Sequence, residues 1–340
     1  METKRVVAIG GGTGLSTLLR GLKRYVQHPA ASPTDTSGCD PAPCRIAHLS
    51  AVVTVTDDGG SSGRLRDDLN MLPPGDIRNC MTALSEDEHM LARLFQYRFP
   101  GAKDSHDLAG HSFGNLFLAA LTDLTGDFAQ AVQMASQIIA ARGHIYPATT
   151  SDVRLSAEMD DGTIVHGETN ITGSKRSIRE LRLHPADAAP LPQTLEAIAT
   201  ADLVTLGPGS LYTSLVTNLL VCGIPEALAQ TRATRVFVCN LMTQANESLG
   251  LTASQHLEKI FDHAHGERIF DFALINSAPI SSKVLEQYAR EGQKPIEADL
   301  DRIRQLGVVP VTGNFAFEGD VLRHDYDTVA ATLLDLKRTD

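Results

Sequence analysis

Basic residues are in short supply: 30 Lys and Arg stand against 41 Asp and Glu in 340 residues, a formal net charge of −11. Non-specific nucleic-acid binding rests on clustered Lys and Arg. No contiguous basic stripe offsets the deficit, so small molecules are the expected partners and no nucleic acid is. Net charge describes only the far field, and a local basic pocket stays compatible with it. No apolar run approaches the ~18 residues a membrane span needs. The opening METKRVVAIGGG runs straight into a strand-like segment without the apolar region of a signal peptide. A cytoplasmic protein with no membrane span is expected. The five cysteines, Cys39, Cys44, Cys80, Cys222 and Cys239, contain no CxxC pair, and disulfide frameworks are usually a device of small secreted domains. Reduced thiols are expected, with Cys222 and Cys239 as core residues. Two more absences concern the first glycine-rich loop. It carries no Gly-Lys-Ser/Thr, which excludes a Walker A loop, and Leu15 stands where a dinucleotide fingerprint has its third glycine.

What is present is a hydrophobic content of 42%, enough for a sizeable core. Arg5 to Ile9 reads as a buried parallel strand stopping at glycines, and a helix should follow from about Leu15 to Tyr25, with Leu15, Leu18, Leu19 and Leu22 on one face. Residues 27–45, rich in Pro, Ser and small residues, read as a surface loop with mobility. A second strand covers about Ile46 to Thr56, and residues 65–142 read as mostly helical. There Ser85-Glu86-Asp87-Glu88 fits a capping box opening a helix through Tyr97. Two helices from Phe113 and Phe128 break at Gly126. Asp161-Gly162 between alternating segments predicts a hairpin inside a β-rich insert of about 145–190. Alternation resumes at Leu203 to Leu206 and continues through strands near Val236 and Phe272, with a Thr252/Gln255 capping box between them. A helix near Lys283, short strands near Val308 and Asp320 and a closing helix from Tyr326 complete the reading. Strand–helix alternation at both ends predicts one α/β domain over 1–340, built on a doubly wound, mostly parallel sheet.

The chemistry-bearing stretches fall at predicted strand ends. Gly10-Gly11-Gly12-Thr13-Gly14 lies between strand and helix, where backbone N–H groups can meet an anion; a tight turn without a ligand is the alternative. Asp57 and Asp58, beside Gly-Gly-Ser-Ser-Gly, are candidates for Mg²⁺, sugar hydroxyls or general-base chemistry, or form an ordinary Asx turn. In Pro74-Gly75-Asp76-Ile77-Arg78-Asn79, Asp76 reads as an N-cap, and Arg78 and Asn79 could reach a phosphate. His111, in a polar segment running to Asn115, could be a general acid or phosphate donor, or a surface histidine near a cap. A second strand–turn–helix unit offers Gly207, Gly209, Ser210, Thr213 and Ser214 to a diphosphate, though Ser210 could be only a helix cap. Asn240 to Gln244, after a third strand, could bond a base or sugar.

Taken in order, AIGGGTGLSTLLRGLK, VTVTDDGGSSGRLR, PPGDIRNC, GHSFGNL, LGPGSLYTSL and CNLMTQ closely resemble the YvcK-type gluconeogenesis factor family. That family is a branch of the CofD-like (2-phospho-L-lactate transferase) superfamily. The resemblance covers nearly the whole chain and implies a Rossmann-like three-layer α/β/α fold and binding of a UDP-sugar, UDP-N-acetylglucosamine foremost. It also implies a role in cell shape and cell-wall metabolism on gluconeogenic carbon sources. The transferase relatives use Mg²⁺ with acidic residues matching Asp57 and Asp58, and the loop matching Gly207 to Ser210 holds their nucleotide phosphates. Tyr288 and Arg323 also look like family ligand contacts, the tyrosine stacking on a base and the arginine pairing with a diphosphate; helix packing and a surface ion pair are the alternatives. A nucleotide-sugar-binding regulatory protein is the leading expectation. A Mg²⁺-dependent phospho-group transferase and an NAD-binding oxidoreductase are the rivals, and a homo-oligomeric state is left open.

Overall fold

In the computed structural model, which describes residues 3–27, 38–41, 43–86, 90–101, 108–174 and 176–338, the first strand is apolar on both faces, as a strand covered by helices on either side must be. This is β1 (Lys4–Gly10), with Val6 to Ile9 all buried. It is followed by β2 (Ile46–Val53) and β3 (His144–Pro147). Next come β4 (Arg154–Met159), β5 (Ile164–His166) and β6 (Ile178–His184), then β7 (Leu203–Leu206), β8 (Thr234–Val238), β9 (Phe272–Asn276) and β10 (Val309–Gly313). Seven of them form one parallel sheet in the order β10-β9-β8-β7-β1-β2-β3. The chain builds outward from β1 to β3, returns, and builds outward the other way from β7. The switch point therefore lies between β1 and β7, where open α/β sheets bind ligands outside the carboxyl ends of their strands. Ile9 pairs with Leu206 across it, which sets the two glycine-rich loops side by side.

The helix Gly12–Lys23 buries Leu15, Leu18, Leu19 and Leu22 against the sheet, as their spacing requires. The helices Phe113–Thr125 and Phe128–Ile138 meet at Gly126, whose φ of 68° suits a residue without a Cβ. The Thr252/Gln255 capping box opens the helix Ala253–His263 with both of its reciprocal bonds. The Asp161-Gly162 hairpin joins β4 to β5, and β5-β4-β6 form a separate antiparallel sheet.

Several expectations need correction. The insert begins later than residue 145, because His144–Pro147 pairs in parallel with β2 as the outer strand of the main sheet; a four-residue strand is too short to declare its partner by pattern. Cys39 and Cys44 form a disulfide, with their Cα atoms 5.1 Å apart across a tight turn, so these two thiols are not reduced. Cys222 is exposed, whereas Cys80 and Cys239 are buried. Ser85 closes the helix Gly75–Leu84, its N–H donating to Met81 O. The next helix starts at Met90, and the other members expected in that capping box, Asp87 and Glu88, lie outside the described residues, as does much of the 27–45 loop. The helices Pro192–Thr200, Ile224–Gln230 and Leu300–Gln305 were not expected.

Gly14 marks the tightest approach at the switch point: a Cβ there would overlap the Pro208 carbonyl oxygen, a backbone atom that cannot swing aside. Gly14→Ala is expected to cost about 1–3 kcal/mol through overpacking. Gly173→Ala, whose Cβ would meet nothing within 4 Å, should be near neutral. Paired urea unfolding curves check the contrast.

Candidate functional site

Backbone N–H groups at a helix start attract anions, yet at both glycine loops a protein carboxylate already takes that position. Gly12 N–H donates to Asp76 Oδ2 at 2.7 Å. After the second loop, Tyr212 N–H donates to Glu247 Oε2 at 3.0 Å, and the Thr213 hydroxyl donates to Glu247 Oε1 at 2.8 Å. Asp76 is therefore not an N-cap: Pro74 stands at the cap of the helix Gly75–Leu84 without a side-chain bond, and Asp76 in the first turn turns toward the loop. Burial pushes its carboxyl up to about 6, against the pull of the Gly12 N–H. Burial likewise raises Glu247, opposed by its bond to Thr213.

The Asp57–Asp58 pair separates. Asp57 Oδ1 accepts from Gly59 N–H at 2.9 Å, an Asx turn, and its other oxygen lies beside Gly75. Asp58 Oδ1 accepts from Thr169 N–H at 2.8 Å and from the Thr169 hydroxyl at 2.6 Å, tying the turn to the insert's helix Glu168–Gly173. A Mg²⁺ held jointly by the two does not fit, since they face different partners. Among the described residues no three His, Cys, Asp or Glu side chains converge to hold a metal. The carboxylate nearest in role to the expected second member is Glu168, buried and accepting from the Thr56 hydroxyl at 2.8 Å. Burial pushes it well up, and the charges of Asp57, Asp76 and Glu247 add to the rise.

His111 is buried with Nδ1 3.0 Å from Ser61 Oγ, which also accepts from Asn115 Nδ2 at 3.0 Å. Burial, then the charge of Arg64, lowers its pKa. At neutral pH His111 is therefore an uncharged imidazole, able to exchange one proton but not to offer a cationic phosphate contact. Arg78 donates from Nη1 to Ser112 Oγ at 2.6 Å and from Nη2 to Asn79 Oδ1 at 2.7 Å.

Asn240 and Gln244 brace the second glycine loop: Asn240 Nδ2 donates to Gly209 O at 2.8 Å, and Gln244 Nε2 to Ser210 Oγ at 3.1 Å. Ser210 precedes the π-helical turn Leu211–Val216 without capping it. Beside this loop a cavity of about 350 Å³ is lined by Asn240, Gln244, Tyr288, Arg323 and His324. His324 Nε2 donates to Cys239 O at 3.0 Å, and burial pushes its pKa down to about 4, so it is neutral. A second cavity of about 410 Å³ shares Arg323 and adds Thr13, Arg78 and Asn79. The candidates thus gather around the switch point, except that Asp58 faces the insert. Larger cavities of about 750 and 610 Å³ both include Arg5 and Asp202, at the amino ends of β1 and β7, away from the ends where ligands collect. Sequence reasoning missed Glu168, Glu247, Arg20 and Arg98; Glu247 sits in an unpatterned loop, and Glu168 falls within the insert expected to be β-rich, where it opens a short helix instead.

The family model for 2-phospho-L-lactate transferase CofD matches residues 6–316. A gluconeogenesis factor of Halalkalibacterium halodurans is 45% identical over 99% of this chain and 98% of its own length. That of Bacillus subtilis is 42% identical over 98% of each. A crystal structure of a UPF0052-family protein from Bacillus halodurans superposes with a TM-score of 0.89 at 45% identity, covering 98% of this chain and 100% of that one.

Asp76 binds its proton more tightly folded than unfolded, between the ordinary value of 3.8 and about 6. Its contribution to stability is complete below that window and declines as pH rises through it, by about 3 kcal/mol. Asp76→Asn should flatten the fall in unfolding free energy between pH 4 and 6, measured by urea titration at each pH. An unchanged slope would show that Asp76 is not the group responsible.

Proposed function

Because this chain belongs to the 2-phospho-L-lactate transferase CofD family, we propose that it is a cytoplasmic nucleotide-sugar-binding protein. In this reading it takes a UDP-N-acetylglucosamine-like ligand and acts as a gluconeogenesis factor supporting cell shape and cell-wall metabolism. The observation that carries the reading is one cavity lined by Tyr288, Arg323, Asn240 and Gln244, the last two also bonding the Gly207–Ser210 loop. Tyr288 is half-buried against Leu241, Met242, Val284 and Leu322, which leaves an anchored ring to stack on a base. Arg323 has no carboxylate partner among the described residues, and its planar fork suits two oxygens of a diphosphate.

The ligand's phosphates would lie against side chains more than against the glycine-loop N–H groups, since Asp76 and Glu247 engage several of those. The transferase reading draws on the same family name, but Asp57 and Asp58 face different partners, so a Mg²⁺ there would rest on one carboxylate and substrate phosphates. An NAD-binding oxidoreductase is favoured only by the sheet and the first loop, where Leu15 replaces the fingerprint's third glycine.

Calorimetric titration should show UDP-N-acetylglucosamine binding to the wild-type chain. Tyr288→Ala should weaken it by about 5- to 150-fold, the range of a lost base stack. Arg323→Ala should weaken it by about 10- to 100-fold, as for a lost charged hydrogen bond. Circular dichroism would confirm that both variants fold. Absence of binding by any uridine nucleotide would remove the reading.

A further inference from the structure

In a chain with a net charge of −11, four guanidinium groups surround one cavity of about 410 Å³: Arg20, Arg78, Arg98 and Arg323. None of the four makes an ion pair among the described residues. Arg78 bonds to Ser112 and Asn79, Arg98 to the Gly110 carbonyl at 3.0 Å, and no partner is recorded for the side chains of Arg20 and Arg323. Elsewhere in the protein arginines are paired as a rule, for example Arg235 with Asp271 and Arg302 with Glu258.

Arg78 is only 7% exposed, and its Nε hydrogen has no acceptor. The charges of Asp76 and Asp57 act on it favourably, yet each carboxylate accepts from a backbone N–H elsewhere, so this buried cation keeps an open donor. Burial, and next the charge of Arg98, push its pKa down, so like charges crowd this wall. The opposite wall is one face of the helix Gly12–Lys23, where Thr13, Ser16 and Thr17 carry hydroxyls.

We propose that this cavity is a second anion site, separate from the nucleotide cavity and sharing only Arg323 with it, which takes the phosphate group of a small phosphate monoester. The choice of phosphate follows from the donors. Four guanidinium groups with threonine hydroxyls in one cavity suit a tetrahedral anion whose oxygens each accept more than one bond. A single carboxylate would leave part of the ring uncompensated. The site stands whether or not the neighbouring cavity holds a nucleotide sugar.

The test uses inorganic phosphate as the probe, titrated calorimetrically into the full chain at low ionic strength in a buffer free of other multivalent anions. Wild type should bind one phosphate per chain. The Arg20→Gln/Arg98→Gln double variant replaces exposed side chains and should keep its unfolding midpoint, while its phosphate affinity falls at least ten-fold. Because both cavities share Arg323, saturating UDP-N-acetylglucosamine should weaken wild-type phosphate binding without abolishing it. No phosphate binding, equal affinity in the double variant, or complete displacement by the nucleotide sugar would each overturn the proposal. Phosphate binding with no binding of any uridine nucleotide would instead uphold this site and remove the function proposed above.

Discussion

The crevice depends on two carboxylates that hold backbone N–H groups at helix starts: Asp76 on Gly12, and Glu247 on Tyr212 and Thr213. Strand, glycine turn and helix create a local positive end whatever the sequence beyond them, and something negative must meet it. Here the fold supplies that charge from within. The glycines then serve closeness more than ligand approach. A Cβ on Gly11 would sit 2.9 Å from Asp76 Oδ2, and one on Gly14 would overlap Pro208. The two loops pack against each other and against their carboxylates, and in the proposed reading phosphate recognition falls to the arginines nearby.

The same economy of partners fixes the insert. Asp58 holds Thr169, Thr56 holds Glu168, and Asn246 Nδ2 donates to Thr172 O at 2.8 Å. Farther along, Tyr212 OH donates to Ile178 O at 3.1 Å, and His263 Nε2 accepts from Leu181 N–H at 3.2 Å. Loops following β2, β7 and β8 thus all hold the β4–β6 unit, which forms a wall of the crevice instead of a detached appendage. Glu168 is the point where wall and crevice meet, buried beside other carboxylates.

The doubly wound sheet was legible because its strands are short apolar runs stopping at glycines, and because the helix after β1 repeats leucine at helical spacing. The insert's hairpin was legible from Asp161-Gly162. Less visible were facts set by three-dimensional neighbours. Adjacent residues on an extended chain point to opposite sides, so Asp57 and Asp58 diverge, while Thr54 and Thr56, two apart, come within 3.2 Å of each other. Asp76 has the composition of a cap, but burial beside the first loop gives it a different partner. Glu247 and Arg98 lie in irregular segments where no period marks them. The Cys39–Cys44 bridge depends on a turn geometry that their spacing alone does not report.

An acidic protein proposed to bind acidic ligands cannot rely on long-range attraction. At physiological ionic strength fields decay over about 8 Å, so the bulk of the −11 charge neither draws an anion in nor excludes it from a pocket. What matters is the charge within a few ångströms. There Arg20, Arg78, Arg98 and Arg323 share one cavity, while the charges of Asp57, Asp76 and Glu247 act together on buried Glu168. A ligand with an anionic end and a hydroxyl-rich end meets both groups favourably in one orientation only. Reversed, it would set phosphate against carboxylates and leave the guanidinium groups facing neutral hydroxyls. In the proposed reading this polarity at contact range would set the ligand's orientation, the glycine loops being already engaged by their own carboxylates.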